Sequence, residues 1–381
     1  ISGIVAIMKR KTSNEEKDKL IKAANAQKEP VGPKPGSTEE VTGLLSLDIL
    51  ELEVGYELVS MVENGELVER IRSLRRQFAL DYGFIVPSIH IKDNVRIKPG
   101  EYRVLLRGAV IGKGELVSHH LLAMDPGNVT APLEGIPTKE PTFGLDAIWL
   151  PESEKERAQF SGYTVVEHST IVTTHITELI RANMAELLGR QEVQHLVDNL
   201  AVKYPKVIEE LIPGLLTIGQ VEQVLARLLK EQISIRDLRT ILETLADYAA
   251  QTKNIEKLTE QVRKKLSRSI TEKFITDDGT LPLVSLNPGL EKSLSETLQA
   301  TDEGSYLALD PSLAQKIISK ISATSEKFTE LGYNPVILTT SYIRAGMSNF
   351  VERFVPGVSV ISHQEIAPNT RVQSLGVINM E

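Results

Sequence analysis

The sequence predicts an α/β and α+β fold of several subdomains, in which small mixed α/β subdomains flank an all-helical subdomain. Three observations support this class. Strand-like segments alternate with a helix before about residue 168, helical periodicity dominates from there to about residue 270, and a strand–helix–strand pattern follows near the end. A length of 381 residues is enough for roughly two to three domains with sizeable cores.

The first third of the chain predicts strands around one helix. The segment DILELEVGYELVSMV alternates apolar and polar residues, which predicts a strand that ends at the turn ENGE. In LVERIRSLRRQFALDYG, Leu67, Ile71, Leu74 and Phe78 recur at helical spacing, and Gly83 stands at the position of a C-cap glycine. FIVPSIHI and EYRVLLRGAVI predict strands, and SHHLLAMDPGN begins a new pattern that turns at Asp-Pro-Gly.

From His168 onward the periodicity is helical. Two later segments begin with residues that predict capping boxes, Thr217 with Gln220 and Ser234 with Asp237. In TTHITELIRANMAELLG the apolar positions form one stripe that ends before a glycine: Ile176, Ile180, Met184, Leu187 and Leu188. With NIEKLTEQVRKKLSRSI, these segments predict a compact helical unit.

The last third returns to alternating elements. LPLVSL predicts a strand. Asp310 and Pro311 supply an N-cap and a first-turn proline for a helix that Gly332 closes. NPVILTT, SYIRAGMSNFVERF and GVSVISH then read as strand, helix and strand, which predicts a βαβ unit.

Residues 12–44 have the composition of a linker. A thin apolar stripe of Leu20, Ile21 and Ala24 is compatible with a short helix, and KEPVGPKPGSTEE predicts extended, semi-rigid chain. Before it, ISGIVAIM is followed by KRK, which resembles the cytoplasmic end of a membrane-spanning helix. An ordinary surface strand or a disordered end is the alternative. No later run approaches the ~20 apolar residues of a membrane span, so we expect the chain itself to be soluble.

Composition narrows the classes of function. The net charge of −8 disfavours nucleic-acid binding, which needs a basic face. The chain contains no cysteine, which excludes disulfides, thiolate nucleophiles and cysteine-based metal sites.

Candidate catalytic motifs fail on detail. GAVIGKGE resembles a phosphate loop, but its glycine spacing is too short and Gly114 replaces the serine or threonine that would hold magnesium, so a hairpin is favoured. His168 and His175 are seven residues apart, yet no carboxylate lies at ligand spacing, and a structural or capping role is favoured. No GxSxG elbow is present. We therefore predict no catalytic residue, no cofactor and no metal.

A nucleic-acid alternative rests on the helical unit. Its capped helices end in VRKKLSRSI, and in a winged-helix module Lys264, Lys265 and Arg268 would contact phosphates. The balanced charge of the preceding helix and the scarcity of residues suited to base edges favour a protein-packing helical unit instead.

The segment EPTFGLDAIWLPE leaves two alternatives open. It holds Trp149, the only tryptophan, together with Phe143, between Pro141 and Pro151. These aromatic residues either fill the core of a small domain or present a surface to a partner.

Several motifs in fixed order resemble the cytoplasmic domains of the export-pore proteins shared by flagellar and virulence type III secretion, and the flagellar branch is closer. These motifs are LDILELEVGYELVSMV, RIRSLRRQFALDYGFIVPSIHIKDN, DPGN, PTFGLDAIWL, GYTVVEHSTIVTTH, LGRQEVQHLVD and IRDLRTILETLADYA. They cover residues 46–270 strongly. In residues 271–381 only the βαβ pattern supports the resemblance.

The resemblance implies a non-enzymatic docking platform at the cytoplasmic face of the bacterial inner membrane. Its expected partners are flagellar export chaperones with their filament-type substrates, other soluble export components, the membrane through an N-terminal half, and further copies of itself in a homo-oligomeric ring. Nucleic acid is not among them. The virulence counterpart of the export gate remains the alternative within the family.

The resemblance also implies subdomain boundaries, with one subdomain inserted in another. Residues 1–45 would be a linker after a transmembrane helix. The first α/β subdomain would comprise 46–118 and 167–187, interrupted by an inserted second subdomain at 119–166. Residues 188–270 would form the helical third subdomain and 271–381 the C-terminal α/β subdomain.

A chaperone-binding dimple lies between the first two subdomains in this family. The residues of this sequence at its positions are Met124, Pro126, Glu140, Phe143, Leu145 and Thr174. Phe143 and Leu145 would face a partner helix while Trp149 packs inward, and the carboxylate of Glu140 would lie at the rim, which suits a helix-in-groove interface. Many relatives have aspartate at the position of Glu140. The longer side chain of Glu140 would therefore make a different contact from that aspartate, although both carry a negative charge.

Overall fold

The computed structural model of the protein describes residues 47–301 and 304–379. The predicted linker, with its Leu20 and Ile21 stripe, lies outside these residues. Within them, three four-stranded sheets and one two-stranded sheet surround and follow a block of helices.

The first sheet has the strand order β2-β1-β3-β4, with β1 parallel to β2 and antiparallel to β3. Arg107 and Gly108 both have positive φ and form the two-residue turn between β3 and β4, so the predicted hairpin at GAVIGKGE is confirmed. The elements are β1 Leu50–Val54, a 3₁₀ helix Tyr56–Leu58, α1 Val59–Glu63, α2 Glu66–Asp81, β2 Ile89–Asp93, β3 Glu101–Leu106 and β4 Ala109–Glu115.

One strand prediction was too long in this region. The strand predicted up to ENGE ends at Val54, and residues 59–63 are helical. Gly55 packs so closely on the next loop that a Cβ would lie 2.2 Å from the carbonyl oxygen of Lys98. The chain turns there, and Leu58 and Met61 continue at helical spacing toward the core.

The second sheet, which we call the inserted sheet, has the order β6-β7-β5-β8 and lies between β4 and the next long helix in the chain. Its central strand β7 carries Trp149, which packs into the main core beside Leu122 and Ala147. The elements are β5 His120–Met124, β6 Ile136–Lys139, β7 Asp146–Pro151, a 3₁₀ helix Glu152–Glu154, α3 Lys155–Phe160 and β8 Thr164–Val166.

The helical block begins at His168. The predicted stripe is confirmed, because all five of its apolar residues are buried, although the helix is interrupted at Asn183. Thr217 and Gln220 form the predicted capping box. The elements are α4 His168–Ala182, α5 Met184–Leu187, α6 Arg190–Ala201, α7 Pro205–Leu211, α8 Ile218–Lys230, α9 Leu238–Ala249, α10 Ile255–Lys265 and α11 Ser267–Glu272.

The capping box predicted from Ser234 was wrong. Helix α9 begins three residues later, with the side chain of Asp237 accepting the N–H of Thr240. The preceding residues remain extended because Ile235 is buried and its N–H donates to the carbonyl of Tyr82 at the end of α2. A contact with the first sheet's helix thus overrides the local capping signal.

The C-terminal sheet has the order β13-β12-β9-β14, and every pairing in it is parallel. The predicted βαβ unit and the helix opened by Asp310 and Pro311 are both confirmed. The elements are β9 Thr280–Leu286, α12 Pro288–Thr297, β10 Leu298–Ala300, β11 Ser305–Leu307, α13 Pro311–Glu330, β12 Val336–Thr339, α14 Arg344–Phe354, β13 Ser359–Ser362, a 3₁₀ helix His363–Glu365 and β14 Arg371–Ile378.

Buried ion pairs join the helical block to this last sheet. Arg344 at the start of α14 contacts Glu260 and Glu231, and Arg263 of α10 contacts Glu231 and Glu365. Both arginines are almost completely buried. Since each guanidinium is shared between two carboxylates, the network links α14 and the segment after β13 to the helical block.

In the described part of the chain, no helix is long and apolar enough to cross a membrane. The sheets fall within the residue ranges that the resemblance assigned to the first, inserted and C-terminal subdomains. The division itself stays a prediction.

Candidate functional site

The loop that joins β6 to β7 carries three of the predicted site residues. Strands β6 and β7 pair up to Lys139 and Asp146, which leaves residues 140–145 as a six-residue loop. The N–H of Glu140 donates to the carbonyl of Leu145, and the N–H of Gly144 donates to the carbonyl of Glu140. Gly144 has φ +69°, a conformation that favours glycine, and this closes the loop.

Phe143 and Leu145 point to solvent from this loop. Their side chains are 63% and 54% exposed, whereas Trp149, four residues after Leu145, is 3% exposed. The two alternatives for EPTFGLDAIWLPE therefore apply to different residues. Trp149 fills the core, and Phe143 and Leu145 form an exposed apolar pair.

The expected placement of Glu140 at the rim is wrong. Glu140 is 6% exposed, and its carboxylate accepts the backbone N–H groups of Thr142 at 2.9 Å and Phe143 at 2.6 Å. A carboxylate can replace its hydration shell by such N–H bonds, so the loop's own backbone compensates its burial. Glu140 thus holds the backbone that presents Phe143 instead of offering a free charge to solvent.

A buried tyrosine–histidine pair lies near Glu140. The hydroxyl of Tyr102 on β3 is 2.8 Å from Nδ1 of His175 on α4. Burial lowers the pKa of His175, and the negative charge of Glu140 opposes this shift. Burial also raises the pKa of Tyr102, with a further contribution from Glu140. The predicted structural role of His175 is confirmed, and these electrostatic interactions place the loop close to α4.

The remaining site residues lie on the elements around the loop. Met124 ends β5, pairs with Ala147 and packs partly against the main core, and Pro126 follows it at the surface. Thr174 is half-buried on α4, directly before His175. The structure thus brings Met124 and the loop to one end of the inserted sheet, with Thr174 on the helix that this end approaches.

Sequence reasoning missed two contributors to this arrangement. Gly114 lies opposite Tyr102 in the β3–β4 pairing, and a Cβ there would be 2.6 Å from the tyrosine hydroxyl. A Cβ at Gly112 would be 2.4 Å from Leu179 of α4 and 3.1 Å from Nε2 of His175. Their alternation along GAVIGKGE was the available signal, because glycines two apart in a strand face the same side.

The remaining predictions concern His168, the basic residues of the helical unit and metal binding. His168 begins α4 and its ring packs against Trp149, so its predicted structural role is confirmed. Lys264, Lys265 and Arg268 are exposed. Within residues 47–301 and 304–379, no three histidine, aspartate or glutamate side chains are grouped so that they could hold a metal ion.

Comparison with known proteins identifies the relatives of this chain. The sequence profile of the FHIPEP family matches residues 1–371. The chain is 37% identical to flagellar biosynthesis protein FlhA of Bacillus subtilis over 381 residues, which cover 99% of this chain and 56% of that protein. It is 39% identical to FlhA of Escherichia coli over 363 residues, covering 92% and 52%. The chain thus spans about half the length of the curated relatives that it matches.

Solved structures agree with the fold. The Chlamydia pneumoniae CdsV protein superposes with a TM-score of 0.78 at 28% identity, covering 88% of this chain and 99% of that one. The nonameric EscV cytosolic domain from a type III secretion system gives 0.70 at 27% identity, covering 88% and 98%. The complex of C. pneumoniae CdsV with CdsO gives 0.76 at 27% identity, covering 87% and 97%. The α/β and α+β fold class of several subdomains predicted from the sequence is confirmed.

Proposed function

The chain belongs to the FHIPEP family, and from this premise we propose that it is the docking platform of a flagellar type III protein export gate. In this role it binds complexes of export chaperones with filament-type substrates and delivers them to the pore. The role is non-enzymatic, and the platform lies at the cytoplasmic face of the bacterial inner membrane.

The exposed pair Phe143 and Leu145 carries this proposal. A glycine-closed loop holds both side chains in solvent while the neighbouring Trp149 is buried, which is an arrangement suited to a partner and not to a core. Aromatic residues with fixed backbones are frequent anchors of protein interfaces. An amphipathic helix of the chaperone fits such an apolar surface, with Met124, Pro126 and Thr174 around it.

Assembly and further partners follow from the relatives. The EscV cytosolic domain is nonameric, and CdsV forms a complex with CdsO. We propose by analogy that this chain forms a homo-oligomeric ring and also binds other soluble export components. Identities of 37% and 39% to the flagellar relatives, against 28% for CdsV and 27% for EscV, favour the flagellar branch over a virulence system.

The test compares Phe143→Ala with Trp149→Ala. We expect Phe143→Ala to weaken binding of a substrate-loaded flagellar chaperone by about 2 kcal/mol or more, the range of an interface hot spot. Because Phe143 is mostly exposed, its loss should reduce folding stability much less than the ~3–5 kcal/mol of a buried aromatic. Thr174→Met should also weaken binding, by occupying the helix side of the site.

Trp149→Ala provides the opposite pattern, with a large loss of stability and no selective binding defect in the molecules that remain folded. Denaturant melts and calorimetric titrations on all three variants separate these effects. Unchanged chaperone affinity in folded Phe143→Ala protein contradicts the proposed site.

A further inference from the structure

A cleft of about 760 Å³ lies where the chain enters and leaves the inserted sheet. Residues Ser118–Leu121 form the entry side and Glu167–Ser169 form the exit side, and residues 57–66, which include α1 and the first residue of α2, also line the cleft. These two connections are the only covalent links between the inserted sheet and the rest of the chain, so they form its hinge.

His168 occupies the exit connection and contacts the inserted sheet. Its ring packs edge-to-face on Trp149 of β7, with centroids 5.6 Å apart and an interplanar angle of 74°. Its Nε2 atom is buried and has no hydrogen-bond partner within the described residues. A neutral imidazole tolerates this environment at the modest cost of one unmade hydrogen bond, whereas protonation would place a charge and a second N–H at this buried position.

The charges around the cleft are mostly negative. Burial lowers the pKa of His168, while the backbone carbonyl of Val117, the charge of Glu152 and the backbone carbonyl of His120 oppose the shift. As the first residue of α4, His168 also lies at the positive end of the helix dipole, which disfavours protonation further. The carboxylates that line the cleft are Glu57, Glu66, Glu152 and Glu167. The other titratable groups facing it are Lys155, His119 and His120.

We propose that His168 is a proton-sensitive latch at this hinge. In its neutral form it holds Trp149, and with it the inserted sheet, against α4. When it is protonated, its buried Nε2–H requires an acceptor, and opening of the cleft exposes this N–H to water. Because folding lowers the pKa of His168, the latch is fully effective above the pKa of an unperturbed histidine, ~6.5, and weakens as pH falls below it.

The latch connects to partner binding through geometry, a consequence that rests on the proposed function. Met124, Pro126 and the 140–145 loop belong to the inserted sheet, whereas Thr174 lies on α4. Opening at the hinge separates these two parts of the candidate surface. The closed and open states therefore present different surfaces to a chaperone.

Trp149 reports on the latch directly, because it is the only tryptophan and opening exposes its buried indole to water, which shifts indole emission to longer wavelength. We expect this shift to follow a single-proton transition with a midpoint below pH 6.5 when the protein is titrated from pH 8 to pH 5. The transition should be lost in His168→Gln and retained in His195→Gln, which changes an exposed histidine of α6. A transition that persists in His168→Gln overturns the assignment.

A distance measurement tests the opening without any partner and without a His168 variant. The chain has no cysteine, so Glu63→Cys on α1 and Ser153→Cys after β7 place two spin labels on exposed positions of the two parts. The label–label distance in the otherwise unchanged protein should lengthen between pH 8 and pH 5, with the same midpoint as the fluorescence. An unchanged distance overturns the latch, whatever the fluorescence does.

Both measurements use the free protein, so they are independent of whether chaperones bind at Phe143. If chaperones do not bind at Phe143, the latch is unaffected. If the hinge is rigid, the proposed docking of chaperones at Phe143 is unaffected.

Discussion

Glu140 supports the exposed surface of the 140–145 loop, although its own side chain is buried. Its carboxylate is buried, and it accepts two consecutive N–H groups of the loop that exposes Phe143. Hydrogen bonds to a charged acceptor contribute roughly 1.5–3 kcal/mol each, so these two bonds favour one conformation of the loop. An aromatic side chain on such a loop binds with less loss of entropy.

We therefore predict that Glu140→Gln loosens the loop before it harms the fold. A glutamine side chain offers one acceptor oxygen, so one of the two N–H groups loses its partner. Amide hydrogen exchange of Thr142 and Phe143 should accelerate about tenfold or more, matching the loss of one such bond. Nuclear magnetic resonance of the free protein measures this without a partner.

Glu134→Gln is the matched control, because Glu134 is an exposed carboxylate of the same inserted sheet region. It should leave the exchange of both amides unchanged. Equal exchange rates in Glu140→Gln and the unchanged protein show that the carboxylate does not hold the loop.

At the scale of elements, strand β4 packs closely against Tyr102 and α4. Gly114 lies beneath the ring of Tyr102, whose hydroxyl bonds to His175 of α4. Tyr102 is completely buried, so its ring has no room to move away from a new methyl group. The alternate glycines thus let the strand, the tyrosine and the helix meet closely.

We predict that Gly114→Ala destabilises the protein by about 1–3 kcal/mol, the usual cost of overpacking. Its Cβ would lie within 2.7 Å of three atoms of Tyr102. Gly214→Ala is the control, since its Cβ would meet only the carbonyl of Glu210 at 3.8 Å. Urea melts of both variants measure the difference, and equal midpoints would show that β4 can shift to accommodate the methyl group.

At the scale of the whole molecule, the apolar core is distributed unevenly. One cluster runs through the first sheet and the helical block to Leu281 and Val336 of the C-terminal sheet. The inserted sheet has a separate cluster of only three buried residues, Ala123, Leu150 and Ala158. It therefore depends on the contact of Trp149 and its neighbours with the main core.

We predict that residues 120–166 exchange their amide hydrogens before the helical block does as denaturant is added. A region with few buried apolar contacts opens at lower free energy than the global unfolding. Hydrogen exchange followed by mass spectrometry over a urea series measures this order. Protection of β5 and β7 equal to that of α8 and α9 would mean that the inserted sheet unfolds only with the rest.

The sequence by itself determined what depends on neighbours along the chain. The capping box of Thr217, the helix opened by Asp310 and Pro311, the apolar stripe of α4 and the βαβ unit follow from local hydrogen bonds and from periodicity. The order of motifs was also sufficient to indicate the family.

Only the tertiary structure decided what depends on distant residues. Ile235 stays extended because its N–H donates to the carbonyl of Tyr82, and Arg263 is buried because the carboxylate of Glu365, 102 residues away in sequence, accepts its Nε–H. Glu140 lies inside the loop because the β6–β7 register turns two amides toward it. A hydrogen bond or ion pair between distant positions leaves no periodic pattern along the chain, so its effect on burial emerges only when the chain is folded.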